Sequence, residues 1–258
     1  MTALFDTHCH FDFSQFGDDF HSELLSAKEQ GVERFLVPSV NESNWPAVQK
    51  LSEQYPEIFH ALGFHPWFLP SPHSLSLSAL QRAIEHRTPQ CVAIGECGLD
   101  FSIDTPTELQ ERFLSAQLEL AQQHDLPVIL HCRKAHHRLI PLLKRYPLKR
   151  AGVLHGFSGS YQQGMSYIEL GYYIGVGGTI TYPRANKTRV AISQLPLDSL
   201  VLETDAPDMP MQGFQGQPNH PKMLPKVLSE LALLKKETEQ TIAQSLWKNS
   251  HLLFSICE

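Results

Sequence analysis

The sequence has no apolar run approaching the roughly 20 residues that span a bilayer, and its first ten residues lack the basic and apolar regions of a secretory signal. No membrane association is therefore expected, and the cytoplasm is the expected location. Cysteine is scarce. Cys9, Cys91, Cys97, Cys132 and Cys257 are odd in number and form no C-x-x-C pair, which argues against a disulfide framework or a structural zinc knuckle and fits reduced thiols. Positive charge is also short, with 21 Lys and Arg against 27 Asp and Glu and a net charge of -6. A surface that embraces nucleic acid over its whole extent is excluded, so any phosphate-bearing substrate has to be met by a local basic rim. No Gly/Ser linker, low-complexity tract or internal repeat divides the 258 residues, and nothing marks an obligate protein partner. Residues 1–258 read as one domain of ordinary α/β-barrel length. The 42% of hydrophobic residues supplies a sizeable core and rules out a disordered chain.

What the chain does contain is a regular alternation. Short β-prone runs fall at 3–8, 34–40, 59–64, 91–96, 127–131, 152–155, 172–176 and 200–204. Between them lie stretches with helical spacing, such as Leu109, Phe113, Ala116, Leu120 and Ala121, or Leu139, Leu142, Leu143 and Tyr146. Strands separated by helices require right-handed crossovers and a parallel sheet, either doubly wound or closed. Eight repeats favour closure, and the expected fold is α/β, a (β/α)8 TIM barrel. After the eighth run, the Pro-rich stretch 207–225 reads as a long loop, while 224–234 and 241–254 read as two further helices packed outside.

That pattern places the residues with chemistry. His8, His65, Glu96, His131, His155 and Asp205 each fall at or just past the end of a different predicted strand. In a barrel those ends open onto one face, where active sites lie. Within His8-Cys9-His10, alternation along an extended chain puts both imidazoles on one side and Cys9 on the other. Singly, a strand-end glutamate reads as a salt-bridged residue, and His131 or His155 as a hydrogen-bonded core histidine. Together, His8, His10, His131, His155, Glu96 and Asp205 form a mixed nitrogen and oxygen donor set suited to one or two divalent ions, zinc, manganese or magnesium. Such ions activate water near neutral pH and stabilise the attacking and leaving oxygens of a phosphoester displacement. The same chemistry serves amide or lactone hydrolysis, and a non-catalytic metal-binding protein carries the same donors. Three function classes stay open at this point.

Ordered motifs along the whole chain narrow the choice: DTHCHFDF at 6–13, GFHPW at 63–67, IGECGLDF at 94–101, PVILHCR at 127–133, HGFSGS at 155–160, GVGGTITYPRA at 175–185, VLETDAP at 201–207 and GFQGQPNHP at 213–221. In these the sequence resembles the TatD family of metal-dependent deoxyribonucleases, in its YjjV-type branch. The resemblance implies an amidohydrolase-like barrel in which His8, His10, Glu96 and Asp205 hold one metal. It assigns Glu96, His131 and His155 to a second, with Glu96 bridging where many related amidohydrolases use a modified lysine. Asp205 is implied as the acceptor of a proton from the attacking water. Cys97 and Cys132 depart from the family pattern and alternate away from the neighbouring ligands, which makes them packing residues.

The favoured reading is a phosphoesterase able to act on DNA ends. Candidate substrate contacts are His65, Arg133, Ser158, Arg184, Lys187 and Glu203. Arg133 lies two residues past His131 and has a fork suited to phosphate oxygens. Ser158, Gly159 and Ser160 precede a predicted helix whose N-terminus favours anions. Arg184 and Lys187 read equally as solvated loop charges, His65 as orienting Trp67 or a carboxylate, and Glu203 as support for a ligand or a packed strand residue. Trp67, Phe68, Phe101, Tyr161, Tyr182 and Phe214 are candidate flanking aromatics.

Overall fold

A computed structural model of the protein describes residues 3–17, 19–70 and 76–256; Cys257, among the cysteines considered above, lies outside them. Eight parallel strands pair in chain order: β1 (Leu4–Asp6), β2 (Val32–Pro38), β3 (Ile58–Leu62), β4 (Cys91–Asp100), β5 (Val128–Arg133), β6 (Gly152–Leu154), β7 (Tyr172–Val176) and β8 (Leu200–Leu202). The helices are α1 (Phe20–Lys28), α2 (Trp45–Gln54), α3 (Ser76–Glu85), α4 (Thr107–His124), α5 (His136–Arg145), α6 (Tyr161–Ile168), α7 (Asn186–Gln194), α8 (Leu224–Lys235) and α9 (Glu239–Phe254). This is the TIM barrel that the alternation of periods predicts. All eight predicted strands form.

The first and last strands close the barrel through a short seam. Thr7 N–H donates to Leu202 O at 2.9 Å, Asp205 N–H to His8 O at 2.9 Å, and His10 N–H to Ala206 O at 2.7 Å. Buried Asp6 fastens it further, accepting from the Thr204 amide at 3.0 Å and the Thr204 hydroxyl at 2.6 Å. Its burial raises the Asp6 pKa to about 7, against the opposing pull of those bonds. Asp6 thus joins the strand that carries His8 to the one that leads to Asp205.

Two differences from the sequence reading concern element roles. α8 is the helix of the eighth β/α unit, so only α9 among the described residues is additional to the repeat. α9 packs on β1 and β8, and its end reaches the N-terminal end of the barrel. There Leu253 and Phe254 join Phe5, Leu36, Ala61, Val92, Ala93, Ile129, Val153 and Val201 in one buried cluster. Period-2 alternation turns most of these strand residues inward, a register shift between β3 and β4 at 91–93 brings in both Val92 and Ala93, and α9 stops that end with apolar side chains. The second difference is β4, which runs four residues beyond its predicted end at Glu96. The Pro-rich stretch does form a long loop after β8, held by buried Asn219, whose amide donates to Thr204 O at 2.9 Å. No helix among the described residues is long and apolar enough to cross a membrane.

Candidate metal centre

Glu96 occupies the middle of the open end. It sits in a β-bulge, where the pairing of β4 with β5 steps from Ile94–Val128 to Cys97–Leu130. An extra residue in one strand re-aims the side chains beside it, which is how Glu96 turns into the barrel. Gly95 permits the bulge: its φ is +151°, and a Cβ there would lie 2.8 Å from the Ile129 Cβ. Cys97 returns to the outer apolar layer, as alternation requires.

The two Glu96 oxygens face different histidines. Oε1 lies 2.8 Å from His155 Nε2, 3.2 Å from His131 Nδ1 and 3.4 Å from His65 Nε2. Oε2 lies 3.3 Å from His8 Nε2 and 3.5 Å from His10 Nε2. Asp205, with its backbone at φ +58°, directs Oδ1 to His8 Nε2 at 3.5 Å and His10 Nε2 at 3.9 Å. The His8 and His155 rings stack with centroids 3.8 Å apart, linking the two groups. His8, His10, His65, Glu96 and His155 are buried, while His131 and Asp205 border the opening. The sequence-predicted donors therefore meet in one place, and Cys9 points away to the Leu36 carbonyl.

These groups set one another's protonation. Burial alone would raise the Glu96 pKa, but His155, His65 and His8 hold the carboxyl well below its usual range. Burial lowers that of His155, yet Glu96 more than reverses the effect and raises it to about 10. Burial and the nearby His155 push His8 well below the usual imidazole value despite Glu96. Burial raises the Asp205 pKa against His155 and His10. The pocket thus favours positive charge beside Glu96 and keeps His8 a neutral lone-pair donor. Imidazole nitrogens and carboxylate oxygens brought this close around a site that attracts positive charge fit a bound cation, which takes the place of the protons these imidazoles otherwise hold. Among the described residues, three groups have ligand atoms close enough to hold one: His8, His155 and Asp205; His8, His10 and Glu96; and His65, Glu96 and His131. His65 differs in chemistry. Its Nδ1 accepts the Trp67 amide hydrogen at 3.1 Å, so a neutral ring carries its proton at Nε2 and acts there as a donor.

Asp100 escaped the sequence reading. Placing the end of β4 at Glu96 left it in a loop, although four residues along a strand return to the same side. It is fully buried and accepts hydrogen bonds from His131 Nε2 at 3.2 Å and Trp67 Nε1 at 2.7 Å. Burial opposes, but His131, Ser102 and Trp67 hold its carboxyl below the usual range. Of the candidate substrate contacts, Arg133 is exposed beyond His131, and its guanidinium makes no hydrogen bond or ion pair among the described residues. Ser158 is exposed. Ser160 caps α6 instead: its hydroxyl accepts the Gln163 amide, and Gln163 Oε1 accepts the Ser160 amide. Lys187 and Arg184 are exposed, with Arg184 over the Tyr182 ring at 5.1 Å. Glu203 is fully buried, accepts the Gly156 amide, and has its pKa raised by burial to about 8.

A family model, TatD related DNase, matches residues 5–255. The chain belongs to that family. It is 50% identical to the uncharacterized metal-dependent hydrolase YjjV of Escherichia coli K12, over 99% of both chains. The crystal structure of that TatD homologue superposes with a TM-score of 0.95 over 98% of each chain. The 3′-5′ ssDNA/RNA exonuclease TatD of Erwinia tasmaniensis is 34% identical over 98% of this chain and 100% of its own. This TatD-type chain is a metal-dependent hydrolase, with the fold and the donor cluster described above.

Proposed function

We propose that the chain, acting as one barrel domain in the cytoplasm, hydrolyses phosphodiester bonds at the ends of single-stranded nucleic acid. The observation that carries the reading is the division of Glu96, one oxygen toward His8 and His10 and the other toward His131 and His155. That division suits a carboxylate shared by two divalent ions. His8, His10 and Asp205 complete one set, and His131 and His155 the other. Zinc, manganese and magnesium are the candidate ions, and when bound they activate water and neutralise charge on the phosphate. Asp205 stands at the opening, where its carboxylate can accept a proton from the attacking water. Arg133 offers to phosphate oxygens a fork that has no partner among the described residues, and His65 Nε2–H offers a neutral donor. Glu203, beneath His155 and closed to solvent, supports the β6 turn through the Gly156 amide. The nucleic-acid assignment follows the TatD exonuclease relatives and agrees with half-exposed Trp67 and Phe68 beside His65 as stacking surfaces.

The test is reconstitution of metal-stripped protein with Mg²⁺, Mn²⁺ or Zn²⁺, assayed on end-labelled single-stranded DNA, a simple phosphodiester and a simple lactone. Activity on the phosphodiesters should fall to background without metal and return with at least one ion. Full activity in EDTA with no bound metal overturns the metal reading; metal-dependent turnover of the lactone alone overturns the choice of substrate.

A further inference from the structure

We infer that Asp100 is a positioning residue that fixes His131 for the metal centre and couples it to the indole of Trp67 at the mouth, an inference that rests on the metal reading above. A carboxylate only accepts hydrogen bonds, so the His131 nitrogen facing it must carry the hydrogen. With Nε2 protonated, the neutral ring has its lone pair on Nδ1, the atom 3.2 Å from Glu96 Oε1. The other three proposed histidine ligands have no comparable partner. Nδ1 of His8, His10 and His155 is buried with no hydrogen-bond partner among the described residues. Packing holds those three: their side chains are 7% exposed or less, against 18% for His131. The least packed ligand is the one given an outer hydrogen bond, the usual device for fixing the tautomer and direction of a metal-binding imidazole.

The course of β4 is built around this contact. Beyond the bulge the strand pairs Gly98 with His131 and Asp100 with Arg133, carrying the carboxylate up beside the ring. Gly98 has φ +148°, and a Cβ there would lie 2.0 Å from the His131 carbonyl oxygen, so the approach of the two backbones requires glycine. Asp100 is itself held in place, its Oδ1 accepting from the Ser102 amide at 2.8 Å and hydroxyl at 2.5 Å. Its Oδ2 is shared between His131 Nε2–H and Trp67 Nε1–H. Trp67 is 51% exposed. One oxygen serving both donors makes the indole a reporter of the ligand, and the ligand sensitive to what displaces the indole.

The experiment is calorimetric titration of the metal-stripped full chain with Zn²⁺, with tryptophan emission followed in parallel. Zinc should change the emission of the wild type, and Trp67→Phe should remove that change. Asp100→Asn should weaken one zinc site by about 10–100-fold and leave the other unaltered. Trp67→Phe, which deletes only one of the two donors to Oδ2, should weaken the same site several-fold. A purely structural Asp100 would instead lower the melting temperature without altering zinc affinity. If Asp100→Asn does not fold, Trp67→Phe decides by its affinity and emission. Unchanged affinity at both sites in every folded variant overturns the inference; a wild type that binds no zinc, manganese or magnesium overturns the metal centre and this role together.

Discussion

At its N-terminal end the barrel is filled by Val92, Ile129, Val153 and Val201 beneath α9. Two or four residues further along the same strands or just beyond them stand Glu96, His131, His155 and Asp205. A spacing of two keeps Ile129 with His131 and Val153 with His155 on one side of an extended strand, while the bulge at Gly95 turns Glu96 and the positive φ of Asp205 turns its carboxylate to that same side, so the change from oil to donor atoms is made along each strand and not between strands. The lower layer shares no residue with the donor cluster. Stability and chemistry are thereby divided crosswise through the barrel, and each half offers a way to test whether they are separate.

The largest effect is expected below. Phe254→Ala empties a buried aromatic site against Phe5 and should cost about 3–5 kcal/mol in denaturant unfolding, with zinc affinity and KM of the folded protein unchanged. A parallel loss of zinc affinity would break the division. Asp205→Asn acts from the other side. It keeps the side-chain shape but removes the proposed proton acceptor, and should lower kcat by about 10²-fold or more, about 3 kcal/mol, with the unfolding midpoint little changed. Near-normal turnover in folded, metal-loaded Asp205→Asn would remove Asp205 as the base. The smallest effect belongs to the rim. Arg133→Ala should raise KM for a charged phosphodiester about tenfold, or about 1.4 kcal/mol, while a neutral ester of similar size is little affected. Equal losses on both substrates would assign Arg133 to structure.

The upper layer was more legible in the sequence than what surrounds it. Imidazoles and carboxylates at strand ends break the apolar pattern, and His8, His10, Glu96, His131, His155 and Asp205 stood out because packing had no use for them. Asp100 did not, because a bulge at Gly95 and a second glycine at 98 interrupt the β-prone run before it. Asp6 was hidden for a different reason. Its partner Thr204 is 198 residues away, and a buried seam bond between the first and last strands leaves no local signal. The role of α9 was missed in the same way: helical spacing identifies the helix but not which end of the barrel Phe254 will stop.

The seam also bears on when the protein can act during its own synthesis. Synthesis delivers β1, and the His8 and His10 that follow it, well before β8 and the Asp205 beyond it. Until β8 has emerged, Asp6 has no Thr204 to hold, and Asp205, the proposed proton acceptor, is missing from the cluster that awaits it. A nascent chain at that stage carries most of the donor set but lacks the carboxylate proposed to serve turnover. On the proposed role of Asp205, closing the barrel and acquiring hydrolytic power become one event in the life of each molecule.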